Sequence, residues 1–393
     1  FVGSMVATLL LLAIPMLVLG TVSPWALRIG MADVDKLAAG ALAGRLYAIS
    51  TVGSLVGTLA CALILVPGIG TRRTFLLLAL LLALVALPGL LGRWYAVVIP
   101  VTIAGILILP VGPTKAQTAH GAVIFETDTR QQYARVIEDE DGSRVLELNE
   151  GQSAHSLLRP GTVLTDNYWD AALVLPLAVR SAQPRRVAIL GNAAGTVARQ
   201  YAEFFPQTKV AGVELDGELD EIGRKYFELV APNLTVHEAD ARPFLRASDE
   251  RFDHILLDAY RQPYIPFYLT TREFFELAHS RLTPGGSVVV NVGHPEGSDR
   301  LERVLASTMA TAFKHVWIDR TRRVNSMLVA SDSPIQPALL IARTQSIKGL
   351  RPTGIREAAR LEPAPTGGDI YTDDHAPVEW LIDRSIVEYA AGD

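Results

Sequence analysis

The sequence predicts three parts in order: an α-helical transmembrane segment bundle, a small antiparallel β domain, and a Rossmann-like α/β domain. Three observations support this fold class. The first quarter of the chain carries few charged side chains. The next stretch alternates apolar and polar side chains, which is the period of half-buried strands. Beyond residue 184, short β-rich apolar runs alternate with helix-like stretches, which predicts a parallel sheet covered by helices. The expected boundaries are 1–112, 113–175 and 176–393.

The composition of the chain limits the partners, covalent links and metal sites that can be expected. The 393 residues are 49% hydrophobic with a formal net charge of −5, so no nucleic-acid partner is expected, because phosphate binding needs clustered Lys and Arg. The single cysteine, Cys61, excludes an intrachain disulfide and a cysteine-based metal site. The eight histidines include no pair at metal-binding helical spacing, so we expect no metal. Because the first residue is Phe1 rather than Met, we expect the natural chain to extend further upstream.

Four apolar stretches reach or approach the roughly 20 residues that a membrane-spanning helix needs. They cover about residues 4–27, 46–70, 74–91 and 94–111. Trp94 and Tyr95 open the fourth stretch and are typical of the membrane interface. A cleaved signal peptide would explain only the first stretch, so four in succession favour a multi-pass membrane protein.

Charges beside these stretches suggest an orientation. Arg72 and Arg73 lie between the second and third stretches, on the side that four spans assign to everything after residue 112. The positive-inside rule then places the C-terminal part in the cytoplasm. The opposite side also carries basic residues: Arg28, Lys36, Arg45 and Arg93. No charge lies in mid-span, which favours an anchor, or a scaffold for an apolar or amphipathic substrate, over a pump.

The remaining sequence predicts two sheets. Asp141 and Gly142 separate two alternating runs, which indicates a hairpin in a small antiparallel sheet. Further on, the runs VAILG, VAGVEL, LTVHEAD, HILLDAY and SVVVNV predict parallel strands. The last two runs, HVWIDRT and NSMLVAS, are joined by a turn around Arg322 and Arg323 that is too short for a parallel crossover. A parallel sheet ending in one antiparallel hairpin is the layout of class I S-adenosylmethionine-dependent enzymes.

A glycine-containing turn follows the first parallel strand. In LGNAAGTVAR, Gly191 permits the tight turn, and Gly195 would bring the backbone close to a ligand at the start of a helix. Ala193 interrupts a complete GxGxxG pattern, so an ordinary strand–turn–helix is the alternative. Glu214 ends the second strand about 20 residues later, where a carboxylate can bind both ribose hydroxyls. The glycine-containing turn and Glu214 together favour a nucleoside ligand.

Two more acids stand at strand ends. Asp240 ends the third strand and would accept from an adenine amino group, while the backbone near Ala241 contacts a ring nitrogen; a helix N-cap is the alternative for Asp240. Asp258 ends the fourth strand, where a carboxylate would orient or deprotonate an amine; a structural cap is again the alternative. Three nearby tyrosines suit an alkylamine substrate: Tyr260, Tyr264 and Tyr268.

These residues resemble the polyamine aminopropyltransferase family, that is, spermidine synthases and their relatives. More closely, the chain is similar to bacterial membrane-fused spermidine-synthase-like proteins. The resemblance covers about residues 120–330 and rests on LELNEGQS, LGNAAGT, VELD, EADARPFL, FDHILLDAY and LTTREFFELAHSRLTPGG. TVSPWALR in the membrane part and YTDDHAPVEW near the C-terminus match as well.

The resemblance implies transfer of an aminopropyl group from decarboxylated S-adenosylmethionine to an amine acceptor, with release of methylthioadenosine. Glu214 would hold the ribose, Asp240 and Ala241 the adenine, and Gln152 the nucleoside. Asp258 matches the catalytic acid, and Tyr260 is expected beside it in the catalytic site. The resemblance also implies a homodimer in the bacterial plasma membrane.

The chain departs from the family pattern at two positions. Ala193 stands where the family has an aspartate contacting the amino group of the donor, and Arg261 replaces a second acidic residue after Asp258. Substrate-binding residues that would compensate are Asp170, Tyr264, Asp373 and Asp374. Because Arg261 would instead suit a carboxylate, an S-adenosylmethionine-dependent methyltransferase is a second hypothesis. A non-catalytic, nucleoside-sensing membrane protein is a third.

Overall fold

The computed structural model describes residues 2–31, 36–90, 92–109, 117–118, 121–149, 153–179, 183–261 and 264–391. The chain divides into two compact units, Phe1–Pro110 and Val111–Asp393. Each unit has its own secondary structure, helical in the first and mixed α and β in the second.

The N-terminal unit is entirely helical within its described residues. Its α-helices are α1 (Val2–Gly20), α2 (Val22–Gly30), α3 (Lys36–Ala60), α4 (Val66–Ile69), α5 (Thr71–Ala86) and α6 (Tyr95–Ile108). A π-helical turn, Cys61–Leu65, joins α3 to α4, and a 3₁₀ turn, Leu87–Leu90, follows α5. Most of the apolar side chains are exposed, as expected for surfaces that face lipid.

Three helical stretches are long and apolar enough to cross a membrane: Met5–Gly30, Ala39–Ile69 and Thr71–Leu90. They correspond to the first three predicted stretches. The fourth differs, because α6 has 14 residues and is therefore about 21 Å long, short of the roughly 30 Å hydrocarbon core. The described residues thus contain three candidate spans rather than four.

The C-terminal unit begins with the predicted small antiparallel sheet. Its strands pair in sequence order: β1 (Gln117–Thr118), β2 (Gly121–Asp128), β3 (Tyr133–Glu138), β4 (Arg144–Leu148) and β5 (Ala154–Leu158). The hairpin between β3 and β4 turns at Gly142, whose φ of 80° favours glycine. Helix α7 (Tyr168–Val174) follows, and the Asn167 side chain caps it by accepting from the Tyr168 N–H at 2.8 Å.

The predicted α/β sheet has eight strands. They are β6 (Arg186–Leu190), β7 (Lys209–Glu214), β8 (Leu234–Glu238), β9 (Phe252–Leu257), β10 (Leu282–Gly293), β11 (His315–Arg322), β12 (Asn325–Ser331) and β13 (Leu361–Pro363). Their order is β13-β11-β12-β10-β9-β6-β7-β8. Strands β6 to β10 are parallel, and β11 and β12 form the antiparallel hairpin that the sequence predicts. Strand β13, which sequence reasoning missed, pairs antiparallel with β11 at the edge.

Helices cover both faces of this sheet. They are α8 (Thr196–Phe204), α9 (Glu218–Tyr226), α10 (Ala241–Ala247), α11 (Arg272–Ser280), α12 (Arg300–Met309), α13 (Pro337–Gln345), α14 (Arg351–Arg360) and α15 (Val378–Ala391). Leu257 and Phe274 belong to the core on one face, and Leu256 and Leu173 to the core on the other. A third cluster joins β3 and β4 to α9, so the small sheet packs against the α/β domain. Each fully buried side chain of this size contributes about 1.5–3 kcal/mol.

Strand order brings the predicted site residues together. Strand β6 lies between β7 and β9, and the chain crosses from one side of β6 to the other after β8. Ligands in open α/β sheets bind at such a switch point, outside the carboxyl ends of the strands. Glu214 ends β7, Asp240 lies two residues beyond β8, and Asp258 directly follows β9. All three acids therefore stand at one edge of the sheet.

The close approach of Gly191 to the backbone of Asp258 provides a test of how these strand ends pack. The φ of Gly191 is 94°, and a Cβ atom there would lie 2.4 Å from the backbone oxygen of Asp258. We expect Gly191→Ala to lower the free energy of unfolding by about 2 kcal/mol more than Gly297→Ala. Gly297 is the matched control because its φ is 82° and nothing lies within 4 Å. Denaturation of the detergent-solubilised chain measures both, and equal costs would contradict the close approach of these two backbones.

Candidate functional site

A cavity of about 880 Å³ opens at the carboxyl ends of the parallel strands. This volume lies within the range of about 300–1,000 Å³ that is usual for small-molecule sites. Its walls come from the small sheet, the β6–α8 turn, the ends of β7 to β10, and α15. Seven of the predicted site residues line it: Gly191, Glu214, Asp240, Ala241, Asp258, Tyr260 and Tyr264.

The turn between β6 and α8 engages its own backbone N–H groups. Gly191 N and Asn192 N donate to Val213 O, Ala193 N to Glu214 Oε2, Ala194 N to Ser156 Oγ, and Gly195 N to Asn192 O. A turn of this type binds anions when its N–H groups point at the ligand. Here protein oxygens already accept from all five groups, so none of these five N–H groups is free to bind a carboxylate or a phosphate.

Gly195 has a role different from the predicted one. It begins α8 with a φ of 84°, and a Cβ atom there would lie 2.4 Å from Leu229 Cδ1. Close packing between the start of the helix and Leu229 therefore requires glycine. The expectation that Gly195 brings the backbone close to a ligand is not supported by this placement. Gly191 and Ala193 of the same turn do line the cavity.

Glu214 faces the cavity with its carboxylate already oriented. Its Oε2 accepts from Ala193 N at 2.8 Å, and its Oε1 accepts from Asp216 N at 3.1 Å. Burial raises the pKa of Glu214, and the two backbone hydrogen bonds oppose that rise. A carboxylate has about four lone-pair positions, so these bonds leave capacity for a pair of hydroxyls.

Asp240 serves as the N-cap of α10 and also lines the cavity. Its Oδ1 accepts from Arg242 N at 3.0 Å, and its Oδ2 accepts from the Tyr268 hydroxyl at 2.6 Å. The capping alternative is therefore realised, and it coexists with exposure to the cavity. Ala241 follows as the first residue of α10, in the same wall.

Asp258 is the most constrained acid in the cavity. Asn291 Nδ2 donates to its Oδ1 at 2.7 Å, and the Tyr168 hydroxyl also hydrogen-bonds to its carboxylate. Burial raises the pKa of Asp258 to about 7, and the two hydrogen bonds oppose this rise. Asn325 Nδ2 donates to Asn291 Oδ1 at 3.0 Å and so fixes the amide that holds Asp258. The result is a carboxyl group that can exchange a proton near neutral pH.

Tyr260 differs from its predicted catalytic role. Its hydroxyl donates to Asn291 O at 2.8 Å and accepts from Gly293 N at 2.8 Å. Burial raises the pKa of Tyr260. With both bonds made to the backbone of β10, the hydroxyl anchors the loop after β9, and the side chain forms part of the cavity wall. Tyr264 similarly donates to Asp383 Oδ1 at 2.6 Å, which ties α15 to this loop.

The predicted substrate acids lie elsewhere. Asp170 is completely buried and accepts from Thr165 N, Thr165 Oγ1, Asp166 N and Gln200 Nε2. Asp373 forms a bidentate ion pair with Arg242, which lowers the pKa of Asp373, and it lines an adjoining depression of about 490 Å³ that shares Asp240 and Tyr268 with the cavity. Asp374 is exposed in the neighbouring turn. These contacts do not support the expectation that the three acids bind substrate.

One predicted site residue lies outside the described part of the chain, and several cavity residues were not predicted from the sequence. Gln152 lies outside the described residues. Tyr168 and Asn291 hold Asp258, yet sequence reasoning named neither. Asn291 could have been selected from the sequence, because it is a polar residue near the carboxyl end of an apolar strand, as Asp258 is. Other cavity residues that sequence reasoning did not select are His155, Asp216, His294, Asn325 and Glu379. Among the described residues, no group of three His, Cys, Asp or Glu side chains is placed to hold a metal.

The sheet order and the strand-end acids define a Rossmann-like α/β domain with a mixed sheet. Comparison with known proteins specifies the family. Residues 172–321 match the sequence model of the spermine/spermidine synthase domain. This part of the chain is similar to that domain family, in agreement with the resemblance seen in the sequence.

Individual relatives carry the corresponding names. The chain is 35% identical over 151 residues to a probable polyamine aminopropyl transferase of Bifidobacterium longum, covering 38% of this chain and 33% of that protein. It is 34% identical over 113 residues to a polyamine aminopropyltransferase of Vibrio vulnificus, covering 28% of this chain and 38% of that protein. The chain thus spans about a third of the length of these two relatives.

One solved structure is similar to part of the chain. The crystal structure of a probable spermidine synthase from Corynebacterium glutamicum has 23% sequence identity and a TM-score of 0.49, covering 66% of this chain and all of that chain.

Asp258 makes the stability of the protein depend on pH. Its folded pKa of about 7 exceeds the value of 3.8 for a free side chain. The stability it contributes is full below pH 3.8 and is lost as pH rises through about 7. Asp258→Asn carries no charge, so we expect its unfolding temperature to exceed that of the wild type by roughly 5 °C at pH 8. At pH 5 the difference should shrink or reverse.

Thermal unfolding of the detergent-solubilised chain at the two pH values measures this effect. Asp374→Asn is the matched control, because Asp374 is exposed and outside the cavity wall. A difference for Asp258→Asn that is the same at both pH values would show that the carboxyl group has an ordinary pKa.

Proposed function

We propose that the chain is a membrane-anchored polyamine aminopropyltransferase. It transfers the aminopropyl group of decarboxylated S-adenosylmethionine to an amine acceptor and releases methylthioadenosine. The observation that carries this proposal is Asp258, a half-buried carboxyl group with a pKa of about 7 in the wall of a cavity that Glu214 and Asp240 also line. The family match supports the same reaction class.

The donor nucleoside would occupy the β6–β8 side of the cavity. Glu214 would accept hydrogen bonds from the ribose hydroxyls, and Asp240 and Ala241 would contact the adenine. Gln152 remains a predicted nucleoside contact. No metal is needed, because the sulfur of a sulfonium donor leaves as a neutral thioether.

The hydrogen bonds of the β6–α8 turn favour a donor without a carboxylate. All five turn N–H groups already donate to protein oxygens. An intact S-adenosylmethionine that placed its carboxylate at this turn would find these five donors already engaged, and an unpaired buried charge is costly. Decarboxylated S-adenosylmethionine has no such group, which supports aminopropyl transfer over methyl transfer.

Catalysis would depend mainly on positioning and on one proton transfer. The nitrogen of the acceptor attacks the carbon next to the sulfonium, a C–N bond forms, and the C–S bond breaks. Asp258 orients the attacking amine and takes the proton that the nitrogen loses. Tyr168 and Asn291 would keep the carboxylate aimed during this step. Tyr260 would hold the loop that completes the cavity wall.

Arg261 keeps methyl transfer as the second candidate. This cation lines the cavity where a second acid would suit a diamine, and guanidinium groups pair well with carboxylates. A carboxylate-bearing donor or acceptor would account for it. Analysis of the nucleoside product distinguishes the two reactions.

The location of the enzyme is also a proposal. The three candidate spans support anchoring in a bacterial plasma membrane. The expected cytoplasmic location of the catalytic unit depends on four spans, so with three candidate spans Arg72 and Arg73 do not support it. Association as a homodimer is the expectation from the family resemblance, and the lipid bilayer is the other expected partner.

Product analysis tests the function. Purified full-length protein with putrescine and decarboxylated S-adenosylmethionine should form methylthioadenosine. Asp258→Asn should lower kcat by roughly 10²- to 10⁴-fold while methylthioadenosine still binds. Asp374→Asn should keep the wild-type rate. Formation of S-adenosylhomocysteine from S-adenosylmethionine would instead show methyl transfer, and the absence of both products would favour a non-catalytic role.

The pH profile tests how Asp258 is held. The Tyr168 hydroxyl lowers the pKa of Asp258, so Tyr168→Phe should raise it further. Because the base must be deprotonated, the acidic limb of kcat/KM should move to higher pH. We expect a loss of roughly three- to tenfold at pH 6 that largely disappears at pH 9.

Tyr264→Phe is the control for this profile, since its hydroxyl bonds to Asp383 and not to Asp258. A Tyr168→Phe enzyme that loses the same factor at every pH would contradict an effect through the pKa of Asp258.

A further inference from the structure

His155 is a cavity residue without an assigned role. It lies in β5 and lines the cavity together with Ala193. Its Nδ1 is buried and has no hydrogen-bonding partner among the described residues. A buried polar atom without a partner is costly, and native proteins keep such atoms mainly where a ligand or water completes the bond.

The imidazole of His155 is neutral at physiological pH. Burial lowers the pKa of His155 to about 4. The Ser153 backbone opposes this lowering. A neutral imidazole has one N–H donor and one nitrogen lone pair, so it can accept a hydrogen bond as well as donate one.

The neighbouring contacts place His155 beside the β6–α8 turn. Ser156, the next residue in β5, accepts from Ala194 N at 3.0 Å, and Leu157 N donates to Thr196 Oγ1 at 2.9 Å. The N–H groups of that turn are all engaged, and Ala193 offers the cavity a methyl group. His155 is therefore a hydrogen-bonding side chain available to a ligand at this wall.

The charge of the cavity indicates what kind of ligand group His155 would meet. Arg261 and His294 are the other basic side chains of the lining. Five acids line the same cavity: Glu214, Asp216, Asp240, Asp258 and Glu379. An excess of acids attracts cationic groups and repels carboxylates. A cation that donates hydrogen bonds is the chemical complement of a neutral imidazole in such a cavity.

We propose that His155 is a substrate-binding residue that accepts a hydrogen bond from an alkylammonium group of the reactants. The inference rests on the proposed aminopropyl transfer and identifies a residue that selects for its amine. The ammonium belongs either to the aminopropyl tail of the donor or to the acceptor. Both sources share the same chemistry, and separate binding measurements distinguish them.

Calorimetry on the full-length protein in detergent tests the proposal with three probes. These are methylthioadenosine, decarboxylated S-adenosylmethionine, and putrescine added with methylthioadenosine. His155→Leu should weaken one or both ammonium-bearing probes roughly tenfold to a hundredfold, because it removes a hydrogen bond to a charged group. Methylthioadenosine, which has no ammonium, should bind as it does to the wild type.

Two further variants make the result specific. His155→Gln retains a side-chain acceptor and should recover most of the lost affinity. His279→Gln is the control, because His279 lies on the surface paired with Asp332. A loss confined to decarboxylated S-adenosylmethionine assigns the contact to the donor, and a loss confined to putrescine assigns it to the acceptor.

The proposal is overturned if His155→Leu binds both ammonium probes within about twofold of the wild type. It is also overturned if methylthioadenosine weakens by the same factor, since that would indicate a general structural role. Failure of the proposed function looks different, because wild-type protein would then bind neither decarboxylated S-adenosylmethionine nor putrescine.

Discussion

The burial of Asp258 is the constraint on which the rest of the site depends. A carboxylate taken out of water is costly unless hydrogen bonds compensate, and here the compensation comes from two distant parts of the chain. Asn291 supplies one bond from β10, and Tyr168 supplies the other from α7. Glu214 across the cavity raises the pKa of Asp258 further. The carboxyl group is thereby kept near the protonation equilibrium that acid–base chemistry needs, at a cost in stability.

The small antiparallel sheet completes the cavity rather than standing apart from it. Its strands bond directly to the ligand-side loops of the α/β domain: Ser156 accepts from Ala194, and the Thr129 hydroxyl donates to an Asp216 carboxylate oxygen at 2.6 Å. Because these contacts use up donors and acceptors of the loops, the small sheet decides which polar groups remain for a ligand. His155 is one of the groups that it supplies.

The sequence was sufficient wherever the location of a residue follows from its position along one strand. Glu214 and Asp258 could be predicted because apolar runs locate the strands, and parallel strands end at one edge of the sheet. Side-chain pairing between distant segments could not be predicted in the same way. Asp373 looked available but pairs with Arg242, which is 131 residues away, and Asp170 is buried in a network with Gln200. For the same reason the hydroxyl of Tyr168 gave no local signal of its contact with Asp258.

A structure of the full chain with methylthioadenosine and putrescine bound tests the central claim most directly. The account predicts the nucleoside between Glu214 and Asp240, and an amine nitrogen of putrescine within hydrogen-bonding distance of the Asp258 carboxylate. A nucleoside bound outside this cavity, or an amine held away from Asp258 with that carboxyl group contacting only protein, would contradict it.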